Sequence, residues 1–310
     1  MNLCGLLSCS ADKKATTVET VMPGSTIVSQ VSDLPDTEDL NHVRYSVDVF
    51  EKVVLPKKLL EISGLAIDEN NLLYAVNDEK AIIFKLSQEG EILDAIDFGK
   101  DGDYEGVEKV DSSIFILKSN GKVVEFDLAR SEKKDSYNNP LSLTNDTEGL
   151  GYDRSTHSLL IAGKGSPNIS HNPKLKKTKA VYAFNLNSKK LSTEPVLIIS
   201  DDDIERYLKE NKEKGTSKKK YKRRVQRATD FSPSAIAHNT VDGNYYLLST
   251  VGKTLIVIDK TSTIKWIYYL DASAYIQPEG ICFDSDGTMF ISNEGKGLKS
   301  NLLKISKPTK

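Results

Sequence analysis

A short unit that recurs along the chain limits its folding choices more than any other feature. The clearest copies are Ile62-Ser63-Gly64-Leu65-Ala66-Ile67-Asp68, Tyr104-Glu105-Gly106-Val107, Thr147-Glu148-Gly149-Leu150-Gly151-Tyr152-Asp153 and Gln277-Pro278-Glu279-Gly280-Ile281-Cys282-Phe283-Asp284, with Pro233-Ser234-Ala235-Ile236-Ala237 as a decayed copy. Gly64, Gly106 and Gly149 lie 42 and 43 residues apart, the length of one four-stranded propeller blade. Each copy opens a series of short β-rich runs separated by Asn, Asp and Gly turns, not by helical periods. The first unit is the fullest, with strands expected over 64–68, 72–76, 81–86 and 92–98.

The second unit repeats this order, with its fourth strand expected near Leu141-Ser142-Leu143. The third carries an extra segment, 165–179, between its second and third strands, and the fourth follows the common pattern. The fifth ends after three strands, while Tyr45 to Leu55 alternates like a strand and belongs to no unit. This strand is expected to complete the last blade. The chain therefore reads as all-β: a five-bladed β-propeller over 43–310, closed by an N-terminal strand, whose radial closure leaves little sheet edge exposed. A sixth blade would have to lie between Asp201 and Asp230, which has no strand pattern. Asp201-Asp202-Asp203 before Ile204, Tyr207 and Leu208 reads as a capped helix start. The basic run that follows, from Lys214 to Arg227, reads as a solvated loop, so 201–230 is a short helical and basic insertion between blades three and four.

The chain has 310 residues, of which 38% are hydrophobic and 28% charged, enough for a large core. A net charge of -2 gives no whole-chain reason to expect nucleic acid as a partner. Cys4, Cys9 and Cys282 are the three cysteines, too few for a disulfide framework, and no Cys/His spacing suggests zinc. Leu6-Leu7-Ser8-Cys9 resembles a bacterial lipobox, so residues 1–9 read as the remnant of a lipoprotein signal with lipidation at Cys9. The short lead before Cys9 implies a start further upstream. Residues 10–42 read as a flexible tether rich in Ser, Thr and Asp.

Strand direction decides which groups share a face. With each first strand innermost, Ser63, Glu105, Glu148, Ser234 and Glu279 ring the mouth of the channel. The ends of the second strands, Asn77, Asp78, Lys118, Lys164, Thr250, Asn293 and Glu294, surround them. Three carboxylates converging on a narrow channel need a counter-charge. Glu105, Glu148 and Glu279 are the expected metal ligands, and Ca²⁺ suits such oxygen donors best. In the alternative, Lys118 and Lys164 neutralise the ring. No nucleophile elbow exists, and of the histidines only His171 falls near this face.

These residues resemble the SdiA-regulated family, bacterial exported or lipid-anchored propellers distantly similar to NHL-repeat and gluconolactonase-type propellers. The carriers are Glu61-Ile62-Ser63-Gly64-Leu65-Ala66 with Tyr74-Ala75-Val76-Asn77-Asp78-Glu79, Tyr104-Glu105-Gly106, Thr147-Glu148-Gly149-Leu150 with Lys164, and Gln277-Pro278-Glu279-Gly280-Ile281 with Ser292-Asn293-Glu294. The likeness covers about Arg44 to Lys307 and implies a five-bladed propeller with a calcium site and no settled activity. Ser234-Ala235 and Ser249-Thr250-Val251 depart from the family pattern in the fourth unit.

Two functions follow. The first is a calcium-binding module of the bacterial envelope, monomeric, anchored to the membrane through Cys9 and taking a ligand that the basic run 214–227 suggests is anionic. The second is a metal-dependent hydrolase of lactonase, esterase or phosphoesterase type, with a ring carboxylate as base. A further reading makes the basic run a docking site for acidic lipid, polysaccharide or nucleic acid.

Overall fold

A computed structural model describes residues 44–170 and 172–308. The lipobox-like stretch with Cys9, the tether 10–42 and His171 lie outside the described residues.

The described chain forms five antiparallel sheets. Blade one is β2 (Ile62–Ile67), β3 (Leu73–Asn77), β4 (Ile82–Leu86) and β5 (Ile92–Asp97). Blade two is β6 (Tyr104–Val110), β7 (Ser113–Lys118), β8 (Val123–Asp127) and β9 (Glu132–Tyr137). Blade three is β10 (Thr147–Asp153), β11 (Ser158–Gly163) and β12 (Thr178–Asn185), with β13 (Lys190–Leu191) and β14 (Leu197–Ser200) both paired to β12. Blade four is β15 (Ser232–His238), β16 (Tyr245–Val251), β17 (Thr254–Ile258) and β18 (Ile264–Tyr269), and blade five is β19 (Pro278–Phe283), β20 (Met289–Asn293) and β21 (Asn301–Ile305). The fourth strand of blade five is β1 (Glu51–Val54), which pairs with β21. The ring thus closes between the first strand of the propeller and its last, a five-bladed propeller as the repeat spacing predicts.

Two expected elements are shifted. The outer strand of blade two is β9, not the Leu141-Ser142-Leu143 stretch. An outer strand is solvated on both faces, and Glu-Lys-Lys-Asp-Ser-Tyr carries no apolar alternation to betray it. Leu141 is instead a core plug beside Gly121, and Leu143 is 71% exposed. The closing strand is also shorter than expected. Tyr45 and Val47 are buried in the seam between blades four and five, outside any strand. The Tyr45 hydroxyl donates to the Gly287 carbonyl at 2.5 Å and accepts from the Asn239 amide at 3.0 Å, which fastens the entry of the chain to the ring.

The core sits in the five seams between blades, filled from both sides by the buried faces of alternating strands. Cys282 is buried in one of them.

The basic insertion is not a loop. α1 (Asp201–Glu210) starts on Ser200, whose hydroxyl accepts from the Asp203 amide, and has three aspartates in its first turn. α2 (Lys218–Thr229) holds most of the basic run. Ile204, Leu208 and Ala228 enter the seam of blades three and four, and Tyr207 and Val225 pack beside them. Burial of this apolar stripe makes a helix of a segment whose lysines and arginines dominate its composition.

Candidate functional site

The innermost strands β2, β6, β10, β15 and β19 stand side by side around the channel. Each carries a break in register against its second strand at the same place: between Ile62 and Leu65, Tyr104 and Gly106, Thr147 and Gly149, Pro233 and Ala235, and Pro278 and Gly280. The residues inside these breaks are Ser63 with Gly64, Glu105, Glu148, Ser234 and Glu279. A bulge leaves one residue outside the ladder and re-aims its side chain. Five bulges in fivefold register therefore present two serines and three glutamates to one opening, and Glu105, Glu148, Ser234 and Glu279 line the same narrow bore.

The glycine that follows serves a second purpose. A Cβ on Gly64 would lie 2.6 Å from the Val107 nitrogen, one on Gly280 2.6 Å from the Leu65 Cβ, and one on Gly149 3.1 Å from the backbone of Ala235 and Ile236. In β2, β6, β10 and β19 the strand thus rests almost directly on its neighbour, which only a residue without a side chain permits, whereas β15 carries Ala235 at this place. These glycines have no left-handed φ, so close approach, not a tight turn, is their reason.

The bore is tight: the space among the ring residues has no volume that a water molecule could occupy. Burial is accordingly the first cause of every shift in the ring. It pushes the Glu105 carboxyl up to about 9, with the charges of Glu148 and Glu279 and the neighbouring Asp103 adding to it. The Glu279 carboxyl rises to about 7, again from burial and then from Glu148, against the opposing pull of Lys164. Lys164 Nζ lies 3.0 Å from Glu148 Oε1. Even so, burial outweighs the ammonium and holds the Glu148 carboxyl above its ordinary range, while at Lys164 burial pulls down but Glu148, with Glu279 and Asp146, outweighs it and raises the ammonium. Ser63 donates to the Glu105 carbonyl at 2.9 Å, and Ser234 and Thr250 donate to the Pro278 carbonyl at 2.8 and 2.6 Å. Thr250 also reaches Glu279 Oε1 at 3.3 Å.

The surrounding residues divide. Lys164 joins the ring, but Lys118 does not: its ammonium sits 4.7 Å over the Tyr104 ring and makes no ion pair among the described residues, so of the two lysines expected to neutralise the glutamates only Lys164 does so. Asn77 is buried and caps the following turn, accepting from the amides of Glu79 and Lys80. Asn293 is wholly buried and donates to Asn301. Both amides hold strand ends in place, and the Asn293 Oδ1 is buried without a hydrogen-bond partner among the described residues. Asp78 and Glu294 remain half-buried beside Glu61, where burial and mutual repulsion push Asp78 up to about 6 and raise Glu294. Asp103, which the sequence pattern did not single out, stands beside Glu105 and bonds Ser119. Its only signal was a place one residue before Tyr104-Glu105-Gly106.

Among the described residues no group of three or more acidic, histidine or cysteine side chains is arranged as a ready metal-ligand set, and no helix is long and apolar enough to cross a membrane.

Solved structures with this fold include a glutaminyl cyclase from Myxococcus xanthus, 11% identical over 86% of this chain and 95% of that one, with a TM-score of 0.53. A virginiamycin B lyase from Staphylococcus aureus is 12% identical over 84% of this chain and 72% of that one at a TM-score of 0.42. An aldose sugar dehydrogenase from Streptomyces coelicolor, in its PQQ-bound form, is 12% identical over 83% and 99% at 0.45. At such identities the likeness is one of fold. No curated protein matches the sequence. The profile of the SdiA-regulated family matches residues 38–296, most of the propeller and every ring residue, and the chain belongs to that family.

Proposed function

We propose that this protein is a binding module whose working site is the carboxylate ring, and that Glu105 and Glu279, with Glu148 beside them, hold a hard divalent cation, Ca²⁺ above all. One observation carries this reading. Three glutamates share a buried rim, yet only Glu148 has an ammonium within ion-pair distance among the described residues. Glu105 and Glu279 keep protons instead, at about 9 and about 7. A cation would replace those protons, and the donors at hand are carboxylate, hydroxyl and carbonyl oxygens, which fit Ca²⁺ and not a thiol- or imidazole-seeking metal. Among the described residues no three acidic, histidine or cysteine side chains are already gathered as a ligand set, so the fit lies in the chemistry of the donors.

Calorimetric titration with CaCl₂ at pH 7, in two buffers of different ionisation enthalpy, tests the reading. Saturable binding with proton release is expected, lost in Glu105→Gln and Glu279→Gln and kept in Lys118→Gln. No binding by the wild type, or binding that ignores both glutamine variants, would sink it.

The module is held at the bacterial envelope by an acyl chain on Cys9, a reading supported by Leu6-Leu7-Ser8-Cys9. Mass spectrometry of the membrane fraction checks it, and an unmodified Cys9 there removes the anchor. The hydrolase reading stands second, because a substrate needs far more room between the carboxylates than a bare ion does, and the bore is narrow.

A further inference from the structure

The insertion between blades three and four folds into a surface that the ring does not use. On α2, Lys218, Lys219, Lys220, Lys222 and Arg223 are all exposed. At 100° per residue they fall on one arc centred opposite Ala228, the residue that α2 buries in the core. None lies within ion-pair distance of an acid among the described residues, whereas Arg224, on the inner side, pairs with Glu213 at 3.4 Å.

The helix is placed rigidly. Arg227 donates to the carbonyls of Gly252, Lys253 and Leu270 at 2.8, 2.9 and 3.0 Å. The Tyr269 hydroxyl donates to the Arg224 carbonyl. The first turn of α2 holds three lysines and no acid, which opposes the helix dipole and favours an anion at that end.

The geometry points to a planar anionic surface, a phospholipid bilayer, as the occupant of this face. The exposed arc carries no aromatic side chain on which a base could stack, since Tyr221 is tucked under Lys212. A polymer strand following the cleft of about 1000 Å³ between the two helices would meet Asp202, Glu205 and Glu210 of α1 along with Arg206, Lys209 and Lys222. A flat surface touching only the outer arc of α2 avoids the three acids. With no apolar residue on the arc, attachment is electrostatic and peripheral, without insertion into the hydrocarbon.

The test uses the full chain carrying Cys9→Ser, so that no acyl group contributes, and cosedimentation with vesicles of phosphatidylglycerol and phosphatidylcholine or of phosphatidylcholine alone. Binding to the anionic vesicles only, abolished by high salt, is expected. Lys222→Gln and Arg223→Gln singly should weaken it roughly fivefold each, and Lys218→Gln, Lys219→Gln, Lys222→Gln and Arg223→Gln together by about a hundredfold or more, with thermal unfolding unchanged. Equal binding to both vesicle types, no binding to the anionic ones at low salt, or full binding by the single and fourfold variants would overturn the proposal. Tighter binding to single-stranded DNA than to the vesicles would overturn it in favour of nucleic acid.

Discussion

Gly106 of β6 lies so close to β10 that a Cβ added to it would stand 2.5 Å from the Cβ of Leu150. Equivalent approaches at Gly64, Gly149 and Gly280 make the glycines beside the ring serines and glutamates part of the closure of the propeller. Gly106→Ala should therefore destabilise the fold by about 1–3 kcal/mol, as overpacking does where neighbours cannot retreat. Chemical denaturation with an unchanged m-value checks it, and a neutral substitution would mean that the inner strands can spread.

The ring makes stability depend on pH in a definite direction. Unfolded glutamate titrates near about 4.3, whereas Glu279 and Glu105 titrate at about 7 and about 9 in the folded chain. Between those values the folded state binds more protons than the unfolded one, so stability falls as pH rises. The melting temperature should drop from about pH 5 to about pH 9, less steeply in Glu105→Gln. CaCl₂ should restore part of the loss at the alkaline end. A melting temperature that climbs over this range in the wild type would contradict the buried-carboxyl geometry.

Glu125 is the opposite case. Its side chain is 2% exposed and is met by Lys134 at 2.8 Å, Lys189 at 3.0 Å and the Tyr137 hydroxyl at 2.6 Å. Burial alone would raise this carboxyl, but the three donors overcome it and hold it at about 2. Its contribution is present above the ordinary glutamate range and is lost as pH falls through about 4 toward about 2. Glu125→Ala leaves Lys189 beside Phe115 and Tyr137 without its anion and, since both lysines keep access to water, should cost about 1–3 kcal/mol. Acid unfolding curves of the variant and the wild type should converge only below about pH 2.

Arg227 is one of the fastenings of α2. Arg227→Ala removes three hydrogen bonds to the carbonyls of Gly252, Lys253 and Leu270. Gly252→Ala forces a Cβ to 2.1 Å from the Arg227 carbonyl oxygen at a φ of +74°. Both should speed amide exchange in 218–229 while the inner strands stay protected. Uniform acceleration across the blades would show instead that α2 unfolds only with the whole propeller.

Most of the blade plan was legible because inner and middle strands are apolar on both faces and the first three units return 42 and 43 residues apart. The outer strand β9 was not legible, because water on both sides leaves no pattern to find. The ring residues could be named from the repeat, since Ser63, Glu105, Glu148, Ser234 and Glu279 hold equivalent places in their copies. Their surroundings could not. Asn77 and Asn293 share a motif with Asp78 and Glu294 yet turn inward, and Lys118 and Lys164 end equivalent strands yet only one reaches a glutamate.

The sequence by itself determined a five-unit ring closed by its N-terminal strand and the positions that face the mouth, because those follow from period and chain direction. Tertiary structure alone decided that five bulges turn these residues into one bore, that Lys164 and not Lys118 supplies the cation, and that a basic stretch becomes a helix. Each of these depends on how close a neighbouring strand or helix comes, and pairwise distance, burial and charge repulsion exist only once the ring is closed.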